Sequence, residues 1–311
     1  LGIIAEIIAL IIYICTNSWQ AIILARALDA VAAGAVSFTL LARLQDELKE
    51  GYRGKYAGIS LSLESFGKIL APVMGGILAD RFFIQAPFYT AILILLVLVL
   101  LVPRESRQRI VPSKSDFNLF QNIREFLSHR ELLGMGILGA VMHATMPAIS
   151  IFLPLYIVGE LGLGYSQVGY IYFAMGITHL LQFEFGKWAD KNPRRTVIMG
   201  TLLTGALLVL ISKASAYYLL LALFFIKGIG NSMWNISAWT LMSNIGEKGK
   251  NEGAVIGAYI SIAKTGAFIS FILSGLVVQY YGISVLFLAN GILIILGSLV
   301  ACPLLRGNSQ R

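Results

Sequence analysis

Little in this chain is suited to solution chemistry. Charged residues are 13% of it, against roughly 25% in an ordinary soluble domain. There are two cysteines, Cys15 and Cys302, and no spacing of the kind that holds zinc. No H-E-x-x-H helix, no poised serine and histidine and no P-loop occur. These absences disfavour a membrane-embedded enzyme and leave nothing to bind ATP. No cofactor and no metal are expected. The chain opens at Leu1 with neither a methionine nor a signal-peptide n-region. Its first apolar run, Leu1 to Cys15, is short for a span, and the chain reads as a fragment.

What is present instead is hydrophobic sequence, 57% of the residues, with a mean hydropathy of +0.79. A soluble core cannot use that much apolar surface. In lipid every backbone polar group must be satisfied internally, so the composition predicts an all-α polytopic membrane protein. Ten apolar segments fall near 1–16, 19–42, 54–79, 87–103, 132–158, 166–185, 196–212, 216–243, 253–280 and 282–303. An even number of spans places both chain ends on one side. Of 24 Lys and Arg residues, 18 lie in loops on that side and two, Arg81 and Lys213, on the other. The basic side is cytoplasmic, so both ends are expected there, in a multi-pass protein of the plasma membrane. The net charge of +8 is thereby explained by topology, and no nucleic acid is expected as a partner. Cys15 and Cys302 fall at opposite faces, which excludes a disulfide between them.

Residues 104–131 form the one long polar connection. Within it Leu119, Phe120, Ile123, Phe126 and Leu127 share a helical face, with Ser115 or Asp116 as a cap. An amphipathic helix at the cytoplasmic surface is predicted. It divides the chain into a four-helix N-terminal bundle (1–103), a linker (104–131) and a six-helix C-terminal bundle (132–311).

The stretch from Arg53 to Arg81 combines a basic start, mid-span charges at Glu64 and Lys68, and Gly67, Pro72, Gly75 and Gly76. Charges at the centre of a span are costly, so a cavity-side helix is predicted. Writing 53–80 over 252–279, an offset of 199, aligns Gly54 with Gly253, Gly58 with Gly257, Ser62 with Ser261, Gly67 with Gly266 and Gly76 with Gly275 without a gap. Parallel repeats of this kind mark transporters built from two halves. In this register the segment is third of four in the first half and fifth of six in the second. Two helices are therefore expected ahead of Leu1. Gly67, Ala71, Gly75 and Gly76, with Gly266, Ser270, Ser274 and Gly275, suit two helices that slide across an interface between the halves.

These features resemble the major facilitator superfamily over the whole chain, with ten of an expected twelve spans in two pseudo-symmetric bundles. Gly67, Ala71, Pro72, Gly75 and Gly76 resemble the fifth-helix antiporter motif G-x-x-x-G-P-x-x-G-G, with Ala71 replacing a glycine. Arg26, Asp29 and Ala30 resemble the fourth-helix R-x-x-Q-G motif, with Asp29 for Gln and Ala30 for Gly. Gly186, Asp190, Arg194 and Arg195 resemble the signature loop between the second and third helices of a half, Pro193 standing where that loop has glycine. The resemblance implies that this loop is a cytoplasmic latch, with Asp190 meeting the positive start of the 54–79 helix. It also implies that Met142, His143, Met146, Met233, Trp234 and Trp239 lie on cavity-lining helices. Such an adaptable wall suits lipophilic ligands, although Met and Trp also pack against lipid or neighbours.

The mid-span charges leave two mechanisms open. Arg26 with Asp29, and Glu64 with Lys68, are spaced to pair along a helix face. Lys227 and Lys264 have no local acid. In proton-coupled drug efflux, Glu64 or Asp29 exchanges protons while Arg26 tunes it, and His143 is a lesser relay. In transport of organic anions or sugar-like solutes, Lys227, Lys264 and Arg26 hold the substrate. Met and Trp in the cavity favour the first. The partners expected are a small-molecule substrate, protons and the lipid bilayer, and the protein is expected to be monomeric. A chain that lacks one cavity-lining helix is not expected to transport as it stands.

Overall fold

A computed structural model describes residues 2–47, 53–101, 119–249 and 252–305. Among them every regular element is helical and none is a strand. Helices fall on all ten apolar segments. The chain separates into two compact units, residues 1–113 and 114–311.

The first unit holds α1 (Gly2–Cys15), α2 (Trp19–Glu47), α3 (Arg53–Arg81) and α4 (Ala86–Leu101). α1 packs along α2, and α4 rests on α1 and α3. The α1–α2 seam is built from small side chains, with Ala9, Ala25 and Ala32 fully buried. Without a hydrophobic force between helices in lipid, such close approach is what holds two spans together.

The second unit begins with α5 (Leu119–Ser128) and α6 (Arg130–His143). Beyond α6 the helix continues through a π-helical turn (Ala148–Phe152), one α-turn, α7 (Leu153–Leu155), and a second π-turn (Tyr156–Glu160). Pro154 explains part of this path. The N–H of Leu153 reaches back to Ala148 O, so the next carbonyl, Ile149, would face the nitrogen of Pro154, which has no hydrogen. The Tyr172 hydroxyl donates to Ile149 O instead.

Tyr172 lies on α8 (Tyr165–Ile177), which passes through a 3₁₀ turn, Thr178–Leu181, into α9 (Gln182–Lys191). Then follow α10 (Pro193–Ile211), α11 (Tyr217–Gly249), α12 (Glu252–Tyr281) and α13 (Ile283–Leu305). α10 packs on α11 and α13, and α6 on α12 and α13. The α10–α11 crossing is set by glycine: a Cβ on Gly200 would lie 2.6 Å from the Trp234 nitrogen and 2.7 Å from Gly230 O. Phe287 meets Tyr156 and Phe224 edge-on at centroid distances of 6.1 and 6.3 Å in the apolar core. Buried hydroxyls turn back on their own helices, as in Thr204 to Gly200 O at 2.9 Å and Ser298 to Ile294 O at 2.8 Å. Ser237 Oγ, Trp234 Nε1 and Tyr259 Oη, by contrast, are buried without a hydrogen-bond partner among the described residues.

Among the described residues, six helices are long and apolar enough to cross a membrane. They begin at Trp19, Arg130, Pro193, Tyr217, Val255 and Ile283, while Gly2–Cys15 and Ala86–Leu101 are apolar but shorter. α3 carries Glu64 and Lys68 in mid-helix, and α8–α9 is broken by its 3₁₀ turn. This is a multi-pass membrane protein.

The amphipathic helix forms as α5 and docks on α6 and α12. Phe126 is 1% exposed, and its ring edge comes within 3.2 Å of where a Cβ on Gly136 would stand. Ser115, Asp116 and the side chains of Leu119 and Phe120 lie outside the described residues. The small-residue stripe of α12 also faces its own unit. Gly266 lies against the backbone of Ala140, and Ser270 donates to Ala144 O, both on or just past α6. Closing α12 onto α6 is what uses Gly266 and Ser270. Gly275, by contrast, faces open space.

Candidate functional site

In the first unit, one turn of α2 brings Arg26 and Asp29 together, Arg26 Nη1 donating to Asp29 Oδ2 at 2.7 Å. The neighbouring α1 adds a residue that the tally of mid-span charges leaves out. Glu6 lies within electrostatic reach of Asp29 and Arg26, and Tyr13 within reach of Arg26. Among the described residues, Glu6 Oε2 and Tyr13 Oη are buried without a hydrogen-bond partner. The arrangement is two carboxyls, one guanidinium and one phenol on two adjacent helices. Two carboxyls near one guanidinium, one of them with a buried oxygen that lacks a partner, make a composition suited to holding a proton. The signal in the sequence is a single acid within the apolar run Leu1–Cys15.

On α3, Lys68 Nζ donates to Glu64 Oε1, and both side chains are largely exposed. Pro72 lies within the same helix. Gly67 has nothing near it, Gly75 meets only Pro87 at 4.0 Å, Gly76 is buried, and Ala71 is exposed.

In the second unit the aromatic and methionine set divides. Met142, Met233 and Trp234 are buried, whereas Met146 and Trp239 are exposed. Met142 and Trp234 belong to the packing core. His143 donates from Nδ1 to Gly139 O at 3.0 Å and meets Trp234 edge-on, 5.5 Å between ring centroids. Lys264 is exposed on α12, within electrostatic reach of His143.

Lys227 is 3% exposed and has neither a hydrogen bond nor an ion pair among the described residues. Its titratable neighbour is His179 in the 3₁₀ turn, and His179 Nδ1 is 2.9 Å from Gln182 Nε2. Lys227, Lys264, His143 and His179 thus meet no carboxylate among the described residues of this unit. Its two ion pairs there, Lys187–Glu184 at 2.8 Å and Arg194–Glu131, both sit at the end with the basic loops.

The signature-like loop is held by its own chemistry. Pro193 occupies the first turn of α10, where its missing N–H costs nothing, and Asn192 Oδ1 accepts from the Arg195 N–H at 3.1 Å. Pro193 in place of glycine therefore starts a helix. Arg194 reaches across to Glu131 at the start of α6 rather than to Asp190, which is exposed. Gly186 meets only Ile236, at 3.9 Å. A polar recess of about 350 Å³ opens between this loop, Glu131 and Asn244 of α11.

Comparison with known proteins fits this picture. The model of the Major Facilitator Superfamily matches residues 1–181 and 178–310. An uncharacterized MFS-type transporter of Methanocaldococcus jannaschii is 28% identical over 240 residues, which is 74% of this chain and 61% of the relative. The uncharacterized MFS-type transporter YuxJ of Bacillus subtilis is 25% identical over 269 residues, 84% of this chain and 68% of the relative. The matched region thus spans about two thirds of the length of these relatives.

Proposed function

Because the chain belongs to the Major Facilitator Superfamily, we propose that it serves as a secondary transporter working by alternating access, coupled to protons and exporting lipophilic small molecules. In this reading all ten apolar segments are spans of two pseudo-symmetric bundles in the plasma membrane, with both ends of the chain cytoplasmic. The observation that carries it is the Arg26–Asp29 ion pair with the buried, unpartnered Glu6 carboxyl oxygen on the neighbouring helix. A proton on Glu6 turns that carboxyl into a donor towards Asp29. Losing it leaves two negative charges against one guanidinium, a state that favours rearrangement or water entry. Glu64 with Lys68 forms a neutral pair in this scheme and is the secondary candidate for coupling.

A second reading, transport of organic anions or sugar-like solutes, draws support from Lys227 and Lys264, which meet no carboxylate among the described residues. Glu6 weakens it by bringing the mid-span groups to four basic and three acidic.

The test is accumulation of ethidium, a lipophilic cation, in proteoliposomes under an imposed pH gradient. Gradient-driven movement that disappears in Glu6→Gln and Asp29→Asn is expected. Transport indifferent to the gradient refutes proton coupling, and normal transport by Glu64→Gln removes Glu64 from the mechanism.

A further inference from the structure

α12 and α13 both rest on α6, and between them remains a cavity of about 470 Å³ lined by Ala144, Gly266, Leu273, Ser274, Ala289 and Asn290, among others. That volume is within the range of small-molecule sites, roughly 300–1,000 Å³. Its wall is mostly apolar, and its few polar groups are largely turned to neighbouring backbone. Ser270 donates to Ala144 O and shares a 3.3 Å contact with Ser274, and Asn290 Nδ2 donates to Leu286 O at 3.0 Å. A polar solute would find only the Asn290 Oδ1 and the serine hydroxyls to replace its water.

The position of the cavity selects among apolar occupants. On α12 the lining runs from Gly266 to Val277, about 17 Å at 1.5 Å per residue. One leaflet of a bilayer core is about 15 Å deep. The cavity lies in the half of the bundle that leads to the non-basic α12–α13 turn at Gly282. Tyr280 and Tyr281 follow within one turn, 73% and 71% exposed, and tyrosines at that level mark the headgroup region. The lining residues Leu273 and Leu293 are themselves half-exposed, so the cavity opens sideways as a cleft between two membrane-spanning helices. It begins just beneath the headgroups and ends near the midplane.

We infer that this cleft is a lipid site that holds one acyl chain of a phospholipid from the leaflet opposite the basic loops. The site depends on the bundle spanning a membrane and not on what the protein transports.

The experiment is native mass spectrometry of the full chain, released from mild detergent after incubation with a palmitoyl-oleoyl phosphatidylglycerol of defined mass. Wild type is expected to keep one phospholipid at an activation energy that strips the rest. Ala289→Phe, which fills the cleft, should lower that occupancy at least about tenfold, as expected from losing contact equivalent to roughly two buried methylenes. Leu299→Phe, on an exposed face of α13 away from the cleft, should leave it unchanged. Circular dichroism and monodisperse elution check the fold, with Ala289→Leu as the milder filler. Equal retention by wild type and both Ala289 variants overturns the proposal. So does equal loss in Leu299→Phe, absence of any retained lipid, or a dimer in place of the lipid adduct.

Discussion

The hydrogen bond from Tyr172 to Ile149 gives the sharpest test of how the irregular helix after α6 is held. Replacing Tyr172 by Phe keeps the ring and creates almost no cavity, so the change isolates one hydroxyl. It leaves the Ile149 carbonyl facing a proline nitrogen that cannot donate. An unsatisfied buried carbonyl costs about 1–3 kcal/mol, and hydrogen bonds between membrane helices measure about 0.6–2 kcal/mol. The overlap sets the expected loss at about 1–2 kcal/mol. Pro154→Ala supplies the missing N–H, so Ile149 O gains a backbone partner whether the turn stays π-helical or relaxes to α. In that background Tyr172→Phe should cost under about 0.5 kcal/mol, a coupling typical of residues that share a partner. The assay is reversible unfolding in mixed micelles titrated with dodecyl sulfate and followed by tryptophan fluorescence. Equal cost of Tyr172→Phe in both backgrounds refutes the account of this turn.

Other predictions concern packing. Phe126→Ala removes a fully buried ring, a change worth about 3–5 kcal/mol in a core. A ten-residue helix is not stable alone, so α5 should melt while the rest holds. Fast hydrogen exchange confined to α5 is the expected readout, and unchanged protection counts against the docking described. Gly200→Ala forces a Cβ onto backbone atoms 2.6 and 2.7 Å away and should destabilise by at least about 1–3 kcal/mol. Gly275→Ala meets nothing within 4 Å and should be neutral or stabilise by up to about 1 kcal/mol, because alanine is the better helix former. Melting temperatures of the two variants moving alike would contradict these seams.

Much of the helical layout was legible because the length of an apolar run reports a helix directly. The i,i+4 spacing of Glu64 and Lys68 likewise foretold their pairing, since contacts within one helix are written into local sequence. What escaped depended on partners distant in the chain. Glu6 gains its meaning only beside Asp29 on another helix, and Arg194 turns to Glu131, 63 residues away, not to Asp190 nearby. A run of small residues shows that α12 approaches something closely, but not that Gly266 meets Ala140. Two prolines hint at the irregular turns past α6. No comparable signal marks the 3₁₀ turn at Thr178–Leu181, where tertiary packing around Gly228 and Ser232 decides.

The habit of buried threonines and serines of bonding to their own helix bears on how the protein is made. A helix such as α10 or α13, whose hydroxyls are satisfied internally, can leave the insertion machinery alone and find its neighbours later within the bilayer. The segment 130–160 is different, because the Ile149 carbonyl has no donor until the next segment delivers Tyr172. These two segments are thus expected to be released into lipid as a pair, so the hydroxyl that closes one irregular turn also fixes a point in the order of assembly. Photocrosslinking of nascent chains from the Tyr172 position would register that pairing during synthesis, and a first segment already surrounded by lipid before Tyr172 emerges would exclude it.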